Sequence, residues 1–118
     1  MREESALGKM EVSPKAIASI AAEAVMSCYG IVGMAPAKLG NGITELLTGD
    51  SLHRGIEVKL VNGKIVIDLY VIVEYGTRIS EVAQNVMQSV KFNVESSLGM
   101  SVSEVNVHVQ GLRVSDSD

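Results

Sequence analysis

Few residues in this chain of 118 could take part in catalysis or bind a metal ion. His53 and His108 are its two histidines, and Cys28 is its one cysteine. Neither histidine lies in an HxxxH spacing, and Cys28 has no second cysteine with which to bind zinc. Because metal sites need clustered ligands, we interpret both histidines as ordinary solvated side chains. The sequence therefore predicts no metal site and no other cofactor.

Nucleophilic and nucleotide-dependent chemistry is also disfavoured. Cys28 continues the apolar stripe of a predicted helix and lies near its C-terminus, where the helix dipole opposes a thiolate. Gly40-Asn41-Gly42 begins like a dinucleotide-binding fingerprint, but Glu45 stands where the third glycine belongs. The chain contains no P-loop and no GxSxG motif. These observations predict a protein that is not an enzyme.

Composition and charge restrict the class of partner and the compartment. Hydrophobic residues make up 47% of the chain and charged residues 20%, which is typical of one globular domain. The formal charge of −4 disfavours nucleic acid and anionic membrane as direct partners. The single cysteine, and the lack of both a signal peptide and an apolar run near 20 residues, favour a cytoplasmic protein with no direct membrane insertion.

The strongest structural signal is the stretch GIEVKLVNGKIVIDLYVIVEYG, residues 55–76. Asn62-Gly63 between two alternating apolar runs predicts a β-hairpin with a type I′ turn. A two-residue turn pairs Leu60 with Ile65, Val58 with Ile67 and Ile56 with Leu69, and all six side chains then share one face. The second strand continues past the first, so we expect it to have a further neighbour.

Helices and outer strands are predicted on both sides of this hairpin. Ser13-Pro14 predicts the start of one helix that stops by Gly30, and Thr77 is the predicted cap of a second helix that ends at Leu98-Gly99. With strands at 7–12 and 102–109, the order is β-α-β-β-α-β. The predicted fold class is α+β, with an antiparallel sheet and two helices packed on one face. Residues 1–118 form a single domain with polar tails at 1–6 and 115–118 and a loop-rich insertion at 33–55.

The sheet face away from the helices is more apolar than a solvated face needs to be. Val66, Tyr70 and Ile72 of the second hairpin strand lie on this face, whereas the last strand alternates to polar residues. We predict that these three residues form a protein interface, because tyrosine is a frequent interface anchor. The alternative is that these three are ordinary surface hydrophobic residues with no role in binding, which are common in proteins.

An RNA-binding or regulatory module that uses the open sheet face is the alternative function. RNA-recognition modules stack bases on sheet aromatics, as an exposed Tyr70 would allow. However, the basic and aromatic RNP pattern is missing. The same face carries acidic residues that would repel phosphate, namely Glu57, Asp68, Glu74 and Glu104.

Three stretches together resemble the alkaline shock protein family of Gram-positive bacteria. They are GKMEVSPKAIASIAAEAVMSCYGIVGM, GIEVKLVNGKIVIDLYVIVEYGTRISEVAQNVMQSVK and VESSLGMSVSEVNVHVQG, and the resemblance extends from about Gly8 to Val114. It implies a non-enzymatic interaction or scaffold protein of cell-envelope homeostasis and stress response, with protein partners. Some members are held at the membrane by an integral-membrane anchor protein and can self-associate. Because this chain lacks long polar or acidic extensions, it looks more like the compact housekeeping members than the stress-abundant ones.

Overall fold

The structure is a computed structural model that describes residues 2–5, 8–11, 13–37 and 46–114, the first two ranges by their backbone alone. Its elements in chain order are β1 (Arg2–Ser5), β2 (Gly8–Glu11), α1 (Pro14–Met26), β3 (Ile31–Met34), a 3-10 helix (Gly49–Gly55), β4 (Ile56–Val61), β5 (Lys64–Glu74), α2 (Ile79–Leu98) and β6 (Val102–Arg113). The fold class is α+β, as the sequence predicts.

β4 and β5 form the predicted hairpin. The turn residues Asn62 and Gly63 have φ values of 51° and 77°, which are the positive values that a type I′ turn requires. The observed partners include Val58 with Ile67 and the other pairs predicted from the two-residue turn. The register is therefore confirmed, and it places the apolar alternation of both strands on one face.

β5 is the central strand of the main sheet. One edge of β5 pairs antiparallel with β4 and then, further along, with β3. The other edge pairs with β6 from Ile65 to Glu74, and this pairing is parallel. The sheet is therefore mixed, whereas the sequence predicts antiparallel strands. The parallel direction has a physical cause, because α2 returns the chain to the end of the sheet where β5 began.

The N-terminal part of the chain differs from the prediction. The strand predicted at 7–12 is observed as β2, but it pairs with β1 in a separate two-stranded sheet. The polar tail predicted at 1–6 thus includes a strand. The segment 33–55, predicted as loop-rich, contains the end of β3, the 3-10 helix and a bridge between Met34 and Leu47. The tail predicted at 115–118 lies outside the described residues.

α1 begins as predicted, but it ends at Met26 and so does not reach Cys28, which the sequence predicts as part of its apolar stripe. The Ser13 hydroxyl accepts a hydrogen bond from the Lys15 amide at 3.1 Å, and Pro14 occupies the first turn. Cys28 instead lies beyond the helix, where it is half-buried and packs against the core.

α2 begins without the predicted threonine cap. Its N-cap position is Arg78, and the Thr77 hydroxyl donates instead to the Glu74 carbonyl at 2.7 Å, within the turn that follows β5. The C-terminus is as predicted, because Gly99 adopts the left-handed conformation with a φ of 66°.

The hydrophobic core lies between the two helices and one face of the main sheet. The following core residues are at most 3% exposed: Ile17, Ala21 and Val25 of α1, Ile65, Ile67, Leu69, Val71 and Val73 of β5, and Val82, Val86, Val90 and Val94 of α2. Full burial of one such valine, leucine or isoleucine side chain stabilises a fold by about 1.5–3 kcal/mol. Since successive strand residues point to opposite faces, residues 66, 68, 70, 72 and 74 of β5 lie on the other face. We name this second side the outer face.

Candidate functional site

The outer face includes the three residues that the sequence predicts as an interface. Val66 and Tyr70 are half-buried, whereas Ile72 is only 1% exposed. Ile72 lies between Gly33 of β3 and Gly111 of β6, which are its partners on the two neighbouring strands. Ile72 is therefore not the surface contact that the sequence predicts, because it is already buried within this chain. An interface at Val66 and Tyr70 stays a prediction.

Asp68, between Val66 and Tyr70, is a carboxylate that is only 6% exposed. Its Oδ1 accepts hydrogen bonds from Asn106 Nδ2 at 3.2 Å and from His108 Nε2 at 3.0 Å. Its Oδ2 lies 3.3 Å from Lys59 Nζ. β4 and β6 supply these partners from opposite sides of β5. A buried charge needs such partners, because without them its loss of hydration would destabilise the fold.

The ring of Tyr70 completes this polar group. It stacks on the His108 ring with centroids 4.5 Å apart and planes inclined by 12°, and its hydroxyl donates to Glu57 Oε1 at 3.4 Å. We define the Asp68 cluster as Glu57, Lys59, Asp68, Tyr70, Asn106 and His108. Strand register creates the cluster, since Glu57, Asp68 and Asn106 lie in one row across the sheet and Tyr70 lies beside His108 in the next. The stack on His108 and the hydrogen bond to Glu57 together limit the rotation of the Tyr70 side chain on the outer face.

Three members of the Asp68 cluster have shifted pKa values. Burial raises the pKa of Asp68, but the hydrogen bonds from His108, Lys59 and Asn106 together outweigh burial, so its pKa lies below the usual value. The hydrogen bond to Asp68 and the negative charge of Asp68 raise the pKa of Lys59. Burial and the carboxylates of Glu57 and Asp68 raise the pKa of Tyr70. At neutral pH the cluster therefore contains ionised Asp68, ionised Lys59 and neutral Tyr70.

The Asp68–His108 pair resembles the orienting half of a catalytic triad, but its surroundings differ. Among the described residues, no hydroxyl or thiol hydrogen-bonds to His108 as a nucleophile would. Oδ1 of Asp68 already accepts two hydrogen bonds, which occupy both of its lone pairs. Nor does the described part of the chain contain a group of three His, Cys, Asp or Glu side chains that could hold a metal ion. The arrangement is suited to fixing the shape and charge of a surface.

The two histidines differ in their surroundings. His108 is not the ordinary solvated side chain that the sequence predicts, because it is bonded to Asp68 and stacked on Tyr70. His53 is exposed in the 3-10 helix, with its Nδ1 2.9 Å from the Asp50 carbonyl oxygen. Sequence reasoning missed the cluster, although an aspartate inside the apolar run IVIDLYVIV was a signal for it.

The surroundings of Tyr70 bear on the RNA alternative. His108 covers one face of its ring, and the carboxylates of Glu57 and Asp68 lie close to the hydroxyl and the ring. A nucleotide stacked on Tyr70 would therefore bring its phosphates toward negative charge.

None of the helices in the described part of the chain has both the length and the apolar character needed to cross a bilayer.

Comparisons with known proteins identify relatives of this chain, all described as uncharacterized. Bacillus subtilis (strain 168) YloU is 44% identical over 110 residues, which is 92% of each chain. Streptococcus pyogenes serotype M6 Spy1614 is 36% identical over 91% of this chain and 89% of the relative. B. subtilis YqhY is 29% identical over 94% of this chain and 82% of the relative.

Structural similarity is weak. A zinc form of the MamM CTD superposes with a TM-score of 0.48 at 14% identity, over 86% of each chain. At the family level, residues 2–114 match the alkaline shock protein 23 family, which is described as having a cell envelope-related function. The resemblance seen in the three sequence stretches is thus confirmed, and the chain belongs to this envelope-related family.

Proposed function

We propose that this chain is a non-catalytic cytoplasmic interaction module that serves cell-envelope homeostasis through protein partners. One of these partners is an integral-membrane protein that anchors the chain at the membrane, and the chain also self-associates. The cell envelope-related function of the family supports the envelope part of this proposal.

The observation that supports an interaction role is the fixed position of Tyr70 on the outer face. Tyrosines in packed surroundings are frequent anchors of protein interfaces. The stack on His108 and the hydrogen bond to Glu57 already restrict the Tyr70 side chain. A partner would therefore lose little side-chain entropy in ordering this ring, which favours binding.

The neighbours of Tyr70 resemble the usual composition of an interface. Val66, half-buried on the same face of the same strand, adds apolar surface on the other side of Asp68 from the ring. Lys59 and Glu57, with Nζ and Oε1 3.9 Å apart, place both signs of charge at its side. Aromatic and apolar surface next to polar groups is common in protein–protein interfaces.

The test is a double substitution, Val66→Ser with Tyr70→Ser. We expect this variant to fold, because neither residue belongs to the helix-side core, and to lose partners that the parent chain captures. Capture is measured by affinity pull-down from the native cell, with membranes retained and dissolved in mild detergent. The matched control is Phe92→Ser on α2, since Phe92 is an aromatic residue 68% exposed on the helix layer.

The outcomes separate the possibilities. Loss of captured proteins with Val66→Ser and Tyr70→Ser, but not with Phe92→Ser, supports the outer face as the contact surface. Unchanged capture by a folded double variant would refute it. If the double variant unfolds, Tyr70→Ser alone is tested in the same way. Salt-dependent retention of RNA in a filter-binding assay, abolished by Tyr70→Ser, would favour the RNA alternative instead.

A further inference from the structure

The edge of β6 away from β5 is long, and we call it the free edge because no other described strand pairs with it. β6 has 12 residues, and within the described residues its only strand partner is β5. An unpaired strand edge is a template for another strand, and proteins usually protect such edges with lysine, proline, β-bulges or inward-pointing charge. The β-bulge after Val109 interrupts only the middle of this edge. β6 contains neither lysine nor proline. Its charged residues are Glu104 near one end and Arg113 at the other, and the segment 105–112 between them, VNVHVQGL, has none.

The helix-side residues of β6 are also less covered than their partners on β5. Leu112 is 45% exposed, whereas Val73 beside it is 1% exposed. Val107 and Val109 are half-buried, and their partners on β5 are fully buried. A further strand along the free edge would cover these apolar side chains.

We propose that the free edge of β6 pairs antiparallel with β6 of a second copy of this chain, across a two-fold axis. This inference names the surface for the self-association proposed above and rests on that part of the proposed function. Two main sheets would join into one continuous sheet, with the helices of both copies on the same side. Isologous pairing of this kind closes as a dimer and leaves neither β6 edge unpaired.

Charge favours a second copy as the occupant. In an antiparallel two-fold pairing, Glu104 of one copy lies opposite Arg113 of the other. The two-fold axis repeats this contact, so Arg113 of the first copy lies opposite Glu104 of the second. Opposite charges across neighbouring strands stabilise pairing, whereas like charges directly opposite destabilise it. The uncharged segment between the two ends places no like charges together.

The orientation of the side chains agrees with this register. Pairing Glu104 with Arg113 of the second copy also pairs Val105 with Leu112, and both of these face the helices, since their β5 partners Ile67 and Val73 are core residues. The next pair, Asn106 with Gly111, lies on the outer face in both copies. The β-bulge that follows Val109 lies among the central residues 107–110 and interrupts regular pairing there. Regular pairing is therefore expected only at the two ends of the contact.

A charge-swap cycle tests the proposal by sedimentation equilibrium on the full chain. Glu104→Arg and Arg113→Glu each place like charges at both ends of the contact, so each should weaken the dimer by about tenfold in dissociation constant. The double variant, Glu104→Arg with Arg113→Glu, restores opposite charges and should restore dimerisation. Glu81→Arg, on the exposed side of α2, is the control and should leave the dimer unchanged.

Unfolding midpoints in urea show whether each variant keeps its fold, and both exchanged residues are exposed. A parent chain that stays monomeric at all concentrations would overturn the proposal and leave the edge to a strand of another protein. Single variants without effect, or a folded double variant that does not recover, would overturn it as well. Because all these variants retain Val66 and Tyr70, partner capture on the outer face can succeed or fail independently of dimerisation.

Discussion

Replacement of Asp68 by asparagine should destabilise the fold at neutral pH and remove part of its acid sensitivity. Asparagine has nearly the same shape, but it lacks the negative charge toward which His108 and Lys59 are directed. A hydrogen bond to a charged group contributes about 1.5–3 kcal/mol to stability. The variant also avoids the unfavourable burial of a carboxylate, and this offsets part of the loss. We therefore expect the free energy of unfolding at pH 6 to fall by about 1–3 kcal/mol, which is similar to the contribution of one hydrogen bond to a charged group.

The pH dependence of this difference follows from the lowered pKa of Asp68. In the unfolded chain Asp68 titrates near 3.8, and in the folded chain below that value. Its contribution to stability is fully present above the unfolded pKa and is lost as the pH falls through the folded pKa. The gap in stability between the parent and Asp68→Asn should therefore be widest at pH 6 and shrink as the pH falls below about 4.

Urea unfolding at pH 6 and at pH 2.5, followed by circular dichroism, measures both effects. Glu23→Gln is the matched control, because Glu23 is an exposed carboxylate on α1, away from both the Asp68 cluster and the β6 edge. Its stability should differ from the parent by no more than about 0.5 kcal/mol at pH 6. A gap below this size for Asp68→Asn, or a gap that does not change with pH, would refute the importance of the cluster to the fold.

Three further predictions concern packing. Ile67→Ala should lower the free energy of unfolding by about 2–5 kcal/mol in urea, whereas exposed Lys91→Ala should change it little, and equal effects would contradict the buried face. Gly33→Ala should cost about 1–3 kcal/mol in thermal melts, because its Cβ would lie 2.7 Å from the Leu47 carbonyl oxygen. An unchanged melting temperature would show that this contact relaxes freely. Half-buried Cys28 should react slowly with a thiol reagent in the native chain and rapidly in urea, and equal rates would contradict its packing.

The hairpin was predictable because two independent kinds of information agreed. Asn62-Gly63 specifies the turn, and the alternation around it specifies which side chains face the core, so the register had one solution. The end of α2 was predictable for a similar reason, since Gly99 supplies the positive φ that stops a helix. Local chemistry in these places determines local structure.

Features that depend on neighbours distant in sequence were not predictable in the same way. Four-residue β3 has too few residues to show a period, and its pairing with β5 depends on contacts across about 40 positions. Ile72 looks like a surface residue until Gly33 and Gly111 are placed on either side of it. Asp68 likewise acquires its role only when β4 and β6 bring its partners together from both sides.

The central place of β5 has a consequence for how the molecule opens. Every other strand of the main sheet pairs with β5, so separating β3, β4 or β6 alone leaves β5 with at least one partner along most of its length. Local fraying of one outer strand therefore releases only those β5 amides that donate to that strand, while the β5 amides on the other edge stay hydrogen-bonded. In native-state hydrogen exchange, the slowest amides of the main sheet should therefore lie between Ile65 and Val73, and they should exchange through global unfolding.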